Sequence, residues 1–420
     1  MALKVALIWG AGQTALKMVL SFLSIKITAV YLGPVGLAMV GQFGNFFTLL
    51  QAVVGSALNT GVTNLSAQTD DRAQLRRVWG TAMSGSLLLG GAMALLVALA
   101  SYPIAQWLLK DGAYWPAVVG GAVSVPVVMV GLVLNGAING RKQISLLGRI
   151  GMGGALAGTL VFVPLCYLFG VWGGLFAYSL STCCVCLVTV IAVYWSRDWH
   201  WADFGLCWDS AVARQLLAFF PMLLVHAVAE PIAPLLMRDA MLANLGATST
   251  GFWQAALRLS DMYTLVVTTA VTMFLMPHLA SIKDDRQFGR ELWRMMLQVA
   301  GITALGAGVI YLCRDLVISI VFTREFRPVR DLLAYLFLGN IFKLASWPLR
   351  MALVIKLRAK WYILVEIGVA LAQIGLTHWW LADLGANAAN AAYAVSFGLA
   401  LVILLYSNKD YLYGLQRQKS

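Results

Sequence analysis

The stretch 251–276, GFWQAALRLSDMYTLVVTTAVTMFLM, restricts what this chain can become more than any other. It is long and apolar enough to cross a bilayer, for which about 20 residues suffice. Yet it carries Arg258 and Asp261 well inside the run, on one helical face. Gln254, Thr268, Thr269 and Thr272 prolong that face, while Leu, Val, Ala and Met make up the other. A charge at mid-bilayer costs about 2.5 to 3.5 kcal/mol even on the mildest scale. The polar side therefore faces water, a partner helix or a substrate. The plainer reading is an ion pair between Arg258 and Asp261 that only ties helices together.

The rest of the chain agrees with a membrane setting. Of its 420 residues 60% are hydrophobic and 11% charged, where soluble proteins average about 25% charged. Short alternating segments of the kind that build a β-barrel are lacking. The expected fold is all-α and polytopic, because a helix satisfies its own backbone in lipid. The net charge of +12 needs no nucleic-acid partner, since basic loops on the cytoplasmic side account for much of it. Cys166, Cys183, Cys184, Cys186 and Cys313 lie in or beside apolar spans, and Cys207 lies in a loop. The 183–186 cluster has no His or carboxylate near it in sequence, so it reads as small apolar side chains and not a metal site. There is no phosphate-binding glycine loop with its lysine, no zinc motif and no nucleophile elbow. These absences point to a transporter and not an enzyme, with no cofactor and no metal. With no nucleotide-binding domain, its energy source is an ion or charge gradient.

Length and flanking breaks give about twelve spans. They fall into two six-helix bundles, 1–195 and 216–420, joined by a cytoplasmic linker, 196–215, whose tryptophans suit the membrane surface. The first span lacks a cleavage site and is expected to be retained. Asp71 to Gly80 reads as a short basic amphipathic piece at the cytoplasmic surface. On the second span Asn45, Thr48, Gly55, Asn59 and Thr63 form one stripe, either a packing seam or a cavity wall. The seventh span holds Pro221, Pro231 and Pro234 and is expected to be bent or broken, with His226 and Glu230 one turn apart. Arg314 to Asp331 reads as a surface segment. With the N-terminus inside, roughly 19 Lys and Arg fall on the cytoplasmic side and roughly 6 outside.

The charges inside the spans form two sets. The basic one is Lys17, Arg258, Lys343 and Arg350, with Lys26 near a span end where it can snorkel. The acidic one is Glu230, Asp261 and Glu366. Asn340, Lys343, Trp347 and Arg350 share one face of the tenth span. At about 3 kcal/mol each, four buried cations would cost about 12 kcal/mol, as much as the net stability of a typical domain. They therefore meet either counter-charges, as interhelical ion pairs, or a hydrated cationic cavity suited to an anionic substrate such as phosphate.

Several blocks, YLGPVGLAMVGQF, NTGVTNLSAQ, QLRRVWGTA, GFWQAALRLSDMY and FRPVRDLLAYLFLGNIFK with WYILVEI, together resemble the Wzx-type flippases. The resemblance is nearest to the lipid III (enterobacterial common antigen) branch, within the multidrug/oligosaccharidyl-lipid/polysaccharide exporter superfamily. It runs over essentially the whole chain, and Trp253, Gln254, Asp261 and Lys343 match the pattern. Asn340, Glu230 and Arg258 depart from it.

The resemblance implies two six-helix bundles around a central cavity and alternating access. It also implies a bacterial inner-membrane location with both termini cytoplasmic. The implied substrate is an undecaprenyl-diphosphate-linked oligosaccharide, with a polysaccharide polymerase and a chain-length regulator as further partners. On that basis Arg258, Lys343, Arg350 and Lys17 are candidates for the diphosphate. Trp253, Gln254, Asn340 and Asn45 are candidates for the glycan, and Asp261, Glu230 and Glu366 for ion coupling. A multidrug antiporter of the same fold would be expected to show an acidic cavity instead. A non-transporting scaffold for glycan assembly would only pair its buried charges, and peptidoglycan-precursor flippases usually have about two more spans.

Overall fold

The computed structural model describes residues 2–196, 199–218, 220–271, 279, 282, 284–356 and 358–412, with the backbone alone at 2–11, 54, 56, 57, 218, 220–230, 270, 359 and 412. The long helices are α1 (Ala2–Ala67), α2 (Arg72–Leu99), α4 (Trp115–Gly140), α5 (Ile144–Trp195), α7 (Phe220–Ala270), α8 (Asp285–Leu312), α10 (Leu333–Ile355), α11 (Ala359–Leu384) and α12 (Asn387–Ser407). Between them lie the short helices α3 (Ser101–Leu109), α6 (Ser210–Ala218) and α9 (Arg314–Val321), and α13 (Lys409–Leu412) follows. Three 3-10 helices span Gly112–Tyr114, Trp201–Phe204 and Arg324–Leu332.

Helices α1, α5 and α7 are each two rods meeting at a glycine: Gly33 (φ 65°), Gly170 (φ 57°) and Gly246 (φ 78°). A side chain at those angles would crowd its own backbone, so glycine lets one rod end and the next begin without a loop. Pro34 then opens the second arm of α1, where its missing N–H costs nothing. Counting arms separately brings the long helices into line with the expected number of spans. Eight helices among the described residues are long and apolar enough to cross a membrane.

The chain divides into two compact units. One comprises Met1–Leu32 with Met39–Pro231, the other Gly33–Ala38 with Ile232–Ser420. In the first unit α4 is central. Val118, Ala122, Val125, Met129, Val133 and Ala137 are fully enclosed as it packs on α2 and α5. In the second, Phe288, Leu292 and Met295 of α8 close on Leu349, Ala352 and Leu353 of α10 and Leu404 of α12.

Two expectations change, and the linker gains a place. The basic piece at 71–80 is the start of α2 itself, capped by Asp71, whose carboxylate accepts from the Ala73 N–H at 3.0 Å. Of the bent or broken helix expected for the seventh span, the break is not found at Pro231 or Pro234: helix continues through both, and among the described residues of α7 the non-helical dihedrals fall at Gly246. Segment 199–209 is docked onto the first unit. Phe204 stacks on Trp79 (5.1 Å between ring centroids), Trp199 donates to Gln143 (2.8 Å), and buried Asp203 holds Arg72 (2.8 Å).

Candidate functional site

The second arm of α7 begins its inward face with Trp253 and Gln254, both buried. They meet Arg238, from the first arm, which is 1% exposed. The Arg238 guanidinium donates to the Gln254 side-chain carbonyl and lies over the Trp253 ring, 5.2 Å from its centroid. Trp253 in turn donates from Nε1 to Asn390 (2.9 Å), and Asn390 donates to the Leu332 carbonyl (2.9 Å). Buried polar groups must be satisfied in this way, because an unmet one costs about 1 to 3 kcal/mol. Arg258, half-buried, and Asp261, exposed, both lie within electrostatic reach of Arg238.

One turn further, Asn340 of α10 joins three helices. Its amide donates to Ser260 (2.6 Å) and to the Tyr263 hydroxyl (2.9 Å), and its carbonyl accepts from Tyr393 of α12 (3.0 Å). α10 and α12 can come this close because position 339 is glycine. A Cβ there would stand 3.1 Å from the Ala394 Cα.

Below Asn340 the face predicted on α10 meets a matching face on α12. The Lys343 ammonium sits 5.9 Å from the Tyr393 ring centre and 5.6 Å from that of Phe397. The Arg350 guanidinium lies 5.6 Å from the same Phe397 ring. Two cations thus flank one aromatic side chain, an arrangement worth about 2 kcal/mol or more per contact where water is excluded. Arg350 also pairs with Glu366 of α11 at 3.0 Å, both side chains nearly closed off. Of the diphosphate and ion-coupling candidates, these two are brought together as an interhelical ion pair.

The structure gathers Trp253, Gln254, Arg258, Asp261, Asn340, Lys343, Arg350 and Glu366 in the second unit. Lys17, exposed, and Asn45, half-buried, belong to the first. The stripe from Asn45 is in its lower part a packing seam: Asn59 donates to the Leu132 carbonyl (2.8 Å) and Thr63 to that of Gly136 (3.2 Å). The side chain of Glu230 and all of Thr272 lie outside the described residues.

Sequence reasoning missed Arg238 because it stands beside Asp239 near the end of an apolar run, where a charge reads as interfacial. Its burial follows from Gln254, sixteen residues on, across the turn at Gly246. The face Asn390, Tyr393, Phe397 was also missed, although its spacing of three and four among alanines was visible.

Comparison with known proteins fits this geometry. The lipid III flippase of Escherichia coli (strain K12) is 28% identical over 398 residues, 94% of this chain and 96% of that protein. The fold is shared with an inward-facing multidrug resistance MATE family transporter of the MOP superfamily (TM-score 0.81, 15% identity, 96% of both chains). It is shared too with the lipid II flippase MurJ in an inward closed conformation (TM-score 0.78, 13% identity, 96% of this chain and 89% of that one). A family profile described as polysaccharide biosynthesis protein matches residues 27–331. With most of its length matched by that profile and its helices arranged as in the MOP superfamily, the chain is a multi-pass membrane protein that belongs to the polysaccharide biosynthesis protein family.

Proposed function

We propose that this protein is a flippase, not an enzyme. It moves an oligosaccharide linked through diphosphate to a polyprenol, of the lipid III or O-antigen type, from the cytoplasmic to the periplasmic leaflet of a bacterial inner membrane. The observation that carries the reading is the end-to-end likeness to a lipid III flippase, 94% of one chain against 96% of the other. The charge of the second unit's interior supports it. Arg238, Arg258, Lys343 and Arg350 outnumber Asp239, Asp261 and Glu366 there. An excess of cations suits a diphosphate and repels the cationic drugs a multidrug antiporter would carry.

Roles within the site follow from what each side chain already touches. Arg258 and Lys343 serve the diphosphate. Lys343 is half-buried and lies against the Tyr393 and Phe397 rings, on the same face of α10 as Arg350. Arg350, locked to Glu366, fixes α10 against α11 and places Lys343. Lys17 and Asn45 keep their assignments to phosphate and glycan. Trp253, Gln254 and Asn340 shape the glycan side. Asp261, exposed, and Glu230 are the carboxylates that would couple an ion. Both termini are cytoplasmic in this reading, and a polymerase and a chain-length regulator would receive the product.

The membrane potential assists this direction of movement. An elementary charge crossing 100 mV is worth about 2.3 kcal/mol, and an interior-negative potential drives an anionic headgroup outward. The test is reconstitution into proteoliposomes with a fluorescent polyprenyl-diphosphate oligosaccharide, scored for accessibility in the far leaflet. Transport that quickens under an interior-negative potential supports the reading. Transport of a cationic dye with none of the lipid would replace it with the antiporter, and no transport of either with a scaffold.

A further inference from the structure

The segment Arg324–Leu332, REFRPVRDL, is a 3-10 helix of nine residues. Such helices have three residues per turn, so side chains at i and i+3 eclipse, and runs beyond three or four residues are uncommon. This sequence has a matching period of three. Phe326, Val329 and Leu332 are buried along one edge, and Arg324, Arg327 and Arg330 form an exposed column along the next. With a rise of about 2.0 Å per residue, the arginines recur about every 6 Å.

The column is firmly mounted. Phe326 meets Phe252 edge-on (5.9 Å) and stacks with Phe322 (5.0 Å), while the Leu332 carbonyl accepts from Asn390. Arg330 is balanced by Asp315 (3.4 Å) and Asp331 (3.6 Å).

A second observation says what lies beside it. On α8 the residues Ile302, Leu305, Val309 and Leu312 form an outward apolar stripe, and Leu316 and Ile320 of α9 continue it at the same spacing, all between 48% and 83% exposed. A stripe of this kind on a membrane-spanning helix faces acyl chains, so its continuation keeps α9 at the membrane surface. The arginine column follows directly after α9 in the chain. The corresponding segment between α2 and α4 carries Lys110 and Asp111, whereas this one carries Arg314, Arg324, Arg327 and Arg330 against Asp315, Glu325 and Asp331. Short loops on the far side of the membrane normally exclude such charge.

We propose that α9 and the 3-10 helix Arg324–Leu332 form a docking surface for the phosphate headgroups of anionic phospholipids, on the membrane face opposite the N-terminus. Leu316 and Ile320 enter the acyl region, and Arg324, Arg327 and Arg330 hold the phosphates. Which leaflet this is rests on the orientation proposed above; the binding does not.

The experiment places a fluorophore on Ser319→Cys in the full chain with its native cysteines replaced by alanine, in phosphatidylcholine vesicles. Quenching by phosphatidylglycerol with a nitroxide near its acyl carbonyl is compared with quenching by phosphatidylcholine labelled alike. No transport is involved, so failure of the flippase reading leaves the result intact, and the reverse holds. The anionic lipid should be favoured at least fivefold, the factor that about 1 kcal/mol per surface cation implies. The triple variant Arg324→Gln, Arg327→Gln, Arg330→Gln should lose that preference, and the triple lysine variant should keep it. Equal quenching by both lipids in the native chain would overturn the proposal, as would an unchanged preference in the triple glutamine variant. Displacement of phosphatidylglycerol by trace polyprenyl diphosphate would also overturn it, by making the diphosphate lipid the occupant.

Discussion

In the first unit, Asn59 and Thr63 reach across to backbone carbonyls of α4, and Gly136 lets the two helices touch. In the second, the corresponding work falls to Arg350 on Glu366, Arg238 on Gln254 and Asn340 on two tyrosines and a serine. Small residues and amides hold helices in lipid at low electrostatic cost. Buried charges hold them at high cost, and replacing a buried ion pair by apolar groups is often neutral or stabilising. The second unit therefore carries more buried charge than helix packing alone calls for, even with Arg350 and Glu366 spent on fixing α10 against α11. This contrast is the physical reason to place the working residues there.

The contrast can be broken in three places. Glu366→Gln would strand the Arg350 charge, with an expected loss of about 3 to 5 kcal/mol. The double variant Arg350→Met, Glu366→Leu should recover most of that loss, both being read from chemical unfolding in detergent. A double variant as unstable as the single one would show that the pair is structural cement. Gly136→Val in the first unit should cost about 1 to 3 kcal/mol by overpacking, because the added Cβ meets the Asn59 carbonyl at 2.8 Å. A neutral result would mean that the seam is loose. Tyr393→Phe removes one bond to Asn340 and should lower stability by about 1 kcal/mol. A larger fall in lipid transport than in stability would tie Asn340 to the substrate.

Much of the architecture was legible beforehand, since composition and span length force helices. The face Asn340, Lys343, Arg350 was legible because a periodicity of three and four survives folding. Ion-pair partners were not. Nothing in sequence ties Arg350 to Glu366, sixteen residues away on another helix, or sets Lys343 against the Tyr393 and Phe397 rings. The contacts of the linker aromatics were hidden for a related reason. Trp199 and Phe204 suit a membrane surface as well as they suit Trp79, and only the fold decides between them.

The decisive comparison is transport by the native chain against Arg258→Ala and Lys343→Ala, in proteoliposomes carrying a polyprenyl-diphosphate oligosaccharide, with unfolding followed on the same samples. A cationic site in the second unit predicts transport at least tenfold slower in each variant with stability nearly unchanged. Transport that survives both substitutions, or that falls only as far as stability does, would contradict it.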